Sequence, residues 1–241
     1  SYIFREHIKQ SLAVIAFLIT LTACTSESYD AGDGPNSYLT ADLVLLHTSQ
    51  DKSVRSALLD DGTTLQFSNP FAQDWLTRPD SVYRALLYYD KTVAASDAAA
   101  PNPTATSIVR ARSVRPVSVL RPVEAEDMET LRTDPVGFES LWMSKNKSYI
   151  NLSLLLKSGK TEADDALHAL GIVSHGTTTD ADRRRTLHLT LYHDQGGVPA
   201  YYTVQQYVSI PTQLLEEADT VELTINTYNG KKVVKVAVSN L

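Results

Sequence analysis

Leu58-Leu59-Asp60-Asp61-Gly62-Thr63-Thr64-Leu65 is the stretch on which the fold of the N-terminal half turns. Asp-Gly tolerates the positive φ angles of a tight hairpin, and the apolar residues on either side suit paired strands. The turn therefore joins a strand over Val54–Leu59 to one over Thr64–Phe67. Upstream, residues 38–48 read as a long first strand. Downstream, Pro70 and Pro79 keep any helix within 68–80 short. Residues 81–89 alternate as a fourth strand, with Val82, Arg84, Leu86 and Tyr88 on one side and Tyr83, Ala85, Leu87 and Tyr89 on the other. The Ala/Pro/Asn/Ser-rich stretch 94–106 reads as a loop, after which residues 108–120 resume the alternation.

Five strands with a tight hairpin between the second and third fit a small closed barrel of the oligonucleotide/oligosaccharide-binding shape. A plain β-meander fits the same pattern. Residues 122–134 are acidic and flanked by prolines, with room for a turn or two of helix around 125–132. Beyond them, strands are expected over 149–156, 167–174, 186–192, 201–210, 221–228 and 231–238. Tyr228-Asn229-Gly230-Lys231 marks a hairpin turn between the last two. Gly159–Asp165 and Gly176–Arg184 read as polar connections. Strands at this spacing predict an antiparallel β-sandwich. The expected chain is all-β: a five-stranded barrel over 37–123, a linker over 124–134 and a sandwich over 135–241.

Ahead of these modules stands Leu21-Thr22-Ala23-Cys24, which ends an apolar run, Leu12–Leu21, preceded by Arg5 and Lys9. A membrane span needs ~20 apolar residues. This shorter run has the length of a secretory signal core, so residues 1–23 read as a lipoprotein signal peptide. Cys24 is then the site of lipid attachment. The alternative is a buried N-terminal helix with a core cysteine. Cys24 is the chain's single cysteine, so it has no intramolecular disulfide partner. Residues 24–36 are acidic and polar and read as a tether.

Removing Arg5, Lys9 and Glu6 with the leader leaves 20 basic against 27 acidic side chains, a net charge of −7. Such a chain is a poor electrostatic partner for nucleic acid. No cofactor or metal is expected. His188 and His193 are five residues apart on one strand and alternate to opposite faces, and His168 and His175, seven apart, do the same. There is no Gly-rich phosphate loop, nucleophile elbow or zinc-protease helix. The carboxylate pairs Glu124/Glu126 and Asp60/Asp61 fall in the linker and the turn, away from glycosidase geometry. No catalytic residue is therefore assigned.

Candidate contact residues remain. Arg110, Arg112 and Arg115, with Arg121 beyond them, form a basic stripe suited to an acidic glycan or a protein partner. A solvated strand face is the plainer account. Trp75, between Phe71 and Leu76, is placed either to stack on a sugar ring or to plug the barrel end. Trp142 reads as core of the second module.

The order of these features resembles one family. Thr133-Asp134-Pro135-Val136, Leu141-Trp142, Tyr149-Ile150-Asn151-Leu152, Leu189-Thr190-Leu191-Tyr192-His193-Asp194 and Tyr207-Val208-Ser209-Ile210 follow the Asp-Gly hairpin. Together they are similar to the NigD-like lipoproteins of Bacteroides-type bacteria. The resemblance implies the same barrel-plus-sandwich architecture and supplies no catalytic residues. It also implies glycines after the tryptophan, where this chain has Met143–Ser148. The acidic stretch behind Cys24 resembles the surface-export signal of such lipoproteins. The expected protein is thus lipid-anchored at the outer membrane. It would act as a non-enzymatic module that contacts an envelope protein or glycan. The alternatives are a bacteriocin-associated immunity or inhibitor protein and a hydrolase with an unrecognised site. Exposed aromatics beside the arginine stripe would favour a glycan, and a flat apolar patch a protein. A deep pocket with convergent carboxylates or histidines would favour the enzyme.

Overall fold

The computed structural model describes residues 39–91, 107–160, 167–215 and 217–238. The leader, Cys24, the tether and the 94–106 loop lie outside the described residues. Strands β1 (Leu39–Thr48), β2 (Val54–Leu59), β3 (Thr64–Phe71), β4 (Val82–Lys91) and β5 (Ser107–Pro116) form a closed barrel in the order β1-β2-β3-β5-β4. β4 returns to pair with β1, and β3 and β5 run parallel. The insertion of β5 between β3 and β4 distinguishes this barrel from a meander, and closure leaves no open edge. Inward-facing Val44, Leu46, Phe67, Ala85, Leu87 and Val109 fill it.

The hairpin that joins β2 to β3 forms as its sequence requires. Gly62 takes φ +89°, and the Asp61 carboxylate accepts a hydrogen bond from the Thr63 amide at 2.8 Å. β3 runs past the expected end at Phe67, through Pro70. Here the Asn69 side chain substitutes for the backbone ladder: it donates to the Ala111 carbonyl and accepts from the Ala111 amide, each at 3.0 Å. On β5 the register slips between Tyr88 and Tyr89 of β4, which leaves Arg112 as the extra residue of a bulge. Val109, Ala111 and Val114 consequently face the core while Arg110, Arg112 and Arg115 all face out. Strict alternation would have turned Arg115 inward.

The second module contains β6 (Ser118–Val119), β7 (Pro122–Glu124), β8 (Gly137–Met143), β9 (Tyr149–Ser158), β10 (Ala169–Thr179), β11 (Arg185–Asp194), β12 (Tyr202–Pro211), β13 (Thr220–Thr227) and β14 (Gly230–Ala237). They make a four-stranded sheet, β6-β12-β9-β8, and a five-stranded sheet, β14-β13-β11-β10-β7. Alternating apolar residues such as Ile150, Leu152, Leu154 and Leu156 on β9 meet Leu187, Leu189, Leu223 and Ile225 of the other sheet. Each such side chain contributes ~1.5–3 kcal/mol by burial. Three pairings, β6 with β12, β7 with β10 and β11 with β13, are parallel within an otherwise antiparallel sandwich.

The seam between the modules lies earlier than the linker expected over 124–134. Residues 118–124 cross from one sheet of the sandwich to the other and pair at the edge of each. The Leu120 amide also donates to the Ser209 carbonyl at 2.8 Å. Strands of two and three residues carry no periodicity that sequence can show, and Pro122 is tolerated at a sheet edge. The helix expected around 125–132 is a single 3-10 turn at Ala125–Asp127. β10 extends five residues beyond its expected end through a bulge at His175 and Gly176, where Gly176 adopts φ +84°.

The turn from β8 to β9 explains the missing glycines. Lys147 adopts φ +60°, a conformation that strains a residue with a Cβ. Ser144 Oγ and Asn146 Oδ1 accept the amides of Tyr149 and Ser148, and Thr212 Oγ1 donates to the Lys147 carbonyl at 2.7 Å. These bonds hold the turn in place. Lys147→Gly is expected to raise stability by up to about 1 kcal/mol in urea unfolding, since it removes the strain at a smaller entropic cost.

Candidate functional site

The outer face of the barrel packs on the outer face of the four-stranded sheet. Leu43, Leu86 and Val117 of the barrel side are buried there with half-buried Tyr88, Trp142 and Tyr207. Trp142 therefore belongs to this junction and not to the sandwich core. The cause is a bulge at Glu139, where the register with β9 slips and turns Trp142 outward opposite Asn151.

A polar network crosses the junction beside these apolar contacts. Arg84 lies on β4 between the inward-facing Tyr83 and Ala85 and points out of the barrel, yet only 5 % of it is exposed. Its guanidinium grips Asp60 of the β2–β3 turn with two hydrogen bonds of 2.6 and 2.8 Å. It also donates to Asn151 Oδ1 on β9 and Ser209 Oγ on β12, each at 3.1 Å. Ser209 Oγ donates to Asn151 Oδ1 at 2.7 Å, and Asn151 Nδ2 returns to Asp60 Oδ2 at 3.2 Å. The Tyr149 ring lies 4.2 Å from the guanidinium carbon, within cation–π range. A single barrel arginine thus joins the hairpin turn to two strands of the sandwich. The planar, five-donor fork suits this arrangement in a way a lysine would not.

Next to the network opens a cleft of about 350 Å³, walled by Leu43, Leu86, Tyr88, Trp142 and Tyr207 and rimmed by Asp42, Asp61 and Lys145. Trp142 and Tyr207 meet edge to face, 6.2 Å apart at 83°. Tyr89 donates to Asp42 at 2.8 Å, and burial together with that carboxylate keeps the phenol protonated. Burial works against ionisation of Asp61, but the Thr63 amide and hydroxyl and the nearby Lys145 together hold its carboxyl below the usual range. Burial, then Tyr88 and Glu139, push the Tyr207 phenol up. Beyond Tyr207 the sheet face carries a prearranged polar strip. Glu139 accepts from Ser153 Oγ at 2.5 Å and from Gln205 Nε2 at 2.7 Å.

Of the stripe arginines, the structure brings Arg115 to this cleft. Its guanidinium lies 5.9 Å from the Tyr88 ring and 3.4 Å from the Tyr88 hydroxyl. Arg112 lies further along β5 and pairs with Asp90, donating through Nε at 2.6 Å. That carboxylate holds the guanidinium firmly in its charged form. Arg110 sits opposite Asp90 in the register, and Arg121 lies in the segment between β6 and β7. The four do not converge on one point. Trp75 packs against the barrel core, edge-on to Tyr83 at 5.8 Å, with Leu76 buried beside it. It faces the barrel core, whereas the arginines of β5 face out. The aromatics beside Arg115 are instead Tyr88, Trp142 and Tyr207, which come from three distant strands.

A second polar cluster joins His168 and His193, one from each of the two pairs whose members alternation separates. His168 and His193 stack at 19° with ring centroids 5.2 Å apart, and His168 Nδ1 lies 2.9 Å from His193 Nε2. His193 is buried and donates from Nδ1 to the Asp134 carbonyl at 2.9 Å. The hydrogen bond between the rings needs one facing nitrogen to be unprotonated. Burial, then the neighbouring His193, hold His168 below its ordinary value of 6.5. On acidification the unfolded chain takes up this proton first. Stability from the group is therefore whole above about pH 6.5 and is lost as pH falls toward the folded-state pKa. The melting temperature is expected to drop as pH falls below about 6.5, and a His168→Asn variant to show a smaller drop. Among the described residues no group of three or more His, Cys, Asp and Glu side chains is placed to hold a metal ion. No described helix is long and apolar enough to cross a membrane.

Comparison with known proteins agrees with this layout. Residues 119–238 match the NigD-like C-terminal β-sandwich domain, a span that begins in β6 and so takes in both short edge strands. A NigD-like immunity protein from Bacteroides caccae superposes with a TM-score of 0.59 at 23% identity, over 82% of this chain and 91% of that one. A protein from Bacteroides fragilis provisionally described as a lipoprotein gives 0.59 at 14% identity, over 83% of this chain and 98% of that one. A protein from Parabacteroides distasonis provisionally described as toxin-related gives 0.54 at 20% identity, over 82% of this chain and 92% of that one. At these identities the likeness is one of fold. No curated protein matches the sequence.

Proposed function

The chain belongs to the NigD-like family, and from that premise we propose that it is a lipid-anchored, non-enzymatic binding protein of the outer membrane, with the junction cleft as its binding site. The observation that carries this reading is the state of the cleft carboxylates. Asp60 is held by Arg84, Asp61 by the Thr63 amide and Asp42 by the Tyr89 hydroxyl. Each has a structural partner, and together they shape a polar rim around an aromatic wall. That is the composition of a recognition site. The anchor is Cys24, placed behind an apolar leader and ahead of an acidic tether. A lipoprotein carrying two or more acyl chains is stably held, since each buried methylene contributes ~0.8 kcal/mol.

Metabolic labelling with palmitate tests the anchor. The protein should carry label and fractionate with the outer membrane, and Cys24→Ala should lose the label and leave the membrane. An unlabelled wild-type protein would refute the assignment. A second reading, inhibition of a toxin, draws on the description of the Bacteroides caccae structure as an immunity protein. It requires that expression of the chain protect a sensitive strain from a co-resident bacteriocin producer.

A further inference from the structure

Resting on the lipid anchor of that reading, we propose that one end of the sandwich docks on the surface of the bilayer that holds Cys24. Four exposed side chains carry this surface. Leu167 stands just before β10, Tyr201 and Tyr202 at the start of β12, and Tyr228 in the turn from β13 to β14. Leu167 is 73% exposed and Tyr201 80%, so neither contributes to the core. Contacts bring these elements to the same end. Lys157, near the end of β9, donates to Thr203 Oγ1 at 3.1 Å and lies 5.8 Å from the Tyr228 ring. The Tyr201 amide donates to the Ser158 carbonyl at 2.9 Å, and Gly196 lies against the Leu167 carbonyl. Tyrosine rings settle at the headgroup level of a membrane, and lysine stems lie along apolar surface while their ammonium groups stay in water. Lys157 and Lys232 are placed for this, each over an aromatic ring. Of the described carboxylates at this end, Asp194 pairs with Arg132 and Asp134 accepts from the Gln195 amide. The connection 161–166, outside the described residues, holds Glu162, Asp164 and Asp165 in its sequence. The contact therefore rests on the rings and on Leu167, not on net charge.

The point where the tether joins the fold argues for the bilayer as the occupant. β4 crosses the four-stranded sheet with Arg84 on Ser209 and Tyr88 beside Tyr207. Its Lys91 end therefore runs toward the Tyr202 end of β12. Leu39, where β1 begins, pairs with Asp90 at that end of β4. The described chain thus starts toward the same end as the tyrosines, with Leu39 and Ile108 exposed there. Residues 25–38 separate Cys24 from Leu39. Even fully extended, at ~3.3–3.6 Å per residue, they reach ~50 Å. Such confinement gives the tyrosine end a high effective concentration at the lipid surface. Contacts too weak to recruit a free protein then suffice to hold a tethered one. A protein partner gains nothing comparable from the place of attachment.

The test is electron paramagnetic resonance on the acylated protein in phosphatidylcholine vesicles. Lipid blocks Cys24, so a nitroxide attaches only at an introduced cysteine. Tyr202→Cys and Tyr228→Cys report on the proposed face. Gln213→Cys, beyond the opposite end of β12, is the control. At the first two positions the label should lose collisions with an aqueous nickel reagent and gain collisions with oxygen, relative to the control. Adding Leu167→Asp and Tyr201→Asp, both at exposed positions, should restore nickel access at Tyr228→Cys in protein that still floats with the vesicles and melts as its parent does. Equal nickel access at all three positions in floating protein would overturn the docking and leave the anchor standing. Shielding at Tyr228→Cys that survives both substitutions would overturn the role of this patch. Labels shielded only after outer-membrane protein extract is added would overturn the bilayer in favour of a protein partner. Protein that fails to float would remove the anchor, and this inference with it.

Discussion

Arg84→Met is expected to destabilise the protein by about 3 kcal/mol, the low end of the ~3–5 kcal/mol typical when one partner of a buried ion pair is removed. The side chain of Asp60 is 19% exposed, so water recovers part of the lost interaction. Asn151 Oδ1 and Ser209 Oγ lose their shared donor, and Tyr149 loses the cation over its ring. The apolar part of the junction is small, with Leu43, Leu86 and Val117 as its buried members. Urea unfolding of the variant should therefore show the barrel melting ahead of the sandwich, where the wild type melts once. Adding Asp60→Asn should recover part of the loss, because it removes the stranded charge. A variant within 1 kcal/mol of wild type, still melting in one step, would show that packing and not this network joins the modules.

The other large effect is expected at Gly196. It adopts φ +61°, and a Cβ there would lie 2.1 Å from the Leu167 carbonyl oxygen. Gly196→Ala combines a left-handed conformation, ~1–2 kcal/mol, with a backbone clash of the kind that costs ~1–3 kcal/mol in packed interiors. A loss of about 2–4 kcal/mol follows. Leu167 leads directly into His168, so relief of the clash must move that residue away from His193. Thermal unfolding would give the loss. Histidine NMR titration would show His168 returning toward its ordinary value. Wild-type stability in Gly196→Ala would mean that residues 167–168 yield freely.

The barrel was largely legible because its information is local. Asp61-Gly62 dictates the β2–β3 hairpin, and β2 occupies the residues its alternation predicts. β6 and β7 were not legible, since two or three residues in a proline-flanked segment show no period. The family resemblance anticipated the architecture and drew attention to Met143–Ser148, where Lys147 does take a conformation glycine prefers.

The candidate site was less legible. Arg84 interrupts the run Tyr83-Arg84-Ala85-Leu86-Leu87, and Asn151 and Ser209 sit among apolar neighbours in the same way. Each looks like an ordinary outward polar position on a strand. Only the docking of one module on the other buries all three, across a separation of 125 residues for Arg84 and Ser209. Arg110, Arg112 and Arg115 share the outer face of β5, while Arg121 lies outside that strand. The meaning of the stripe depended on a bulge at Arg112 and on aromatics supplied by β4, β8 and β12. His168 and His193 illustrate the same point. Intervals along one strand cannot reveal a pair that forms across two.

The crossing made by residues 118–124 limits how the gene can be cut. A fragment begun at Pro135, where composition suggests a joint, would leave behind the selvedge of both sheets and bare the flanks of β12 and β10. Those flanks would then be free to zip onto neighbouring copies. Any chimera that grafts this sandwich behind another head should splice ahead of Ser118, and it would still lack the Asp60 and Arg84 that tie Asn151 and Ser209 to their own barrel.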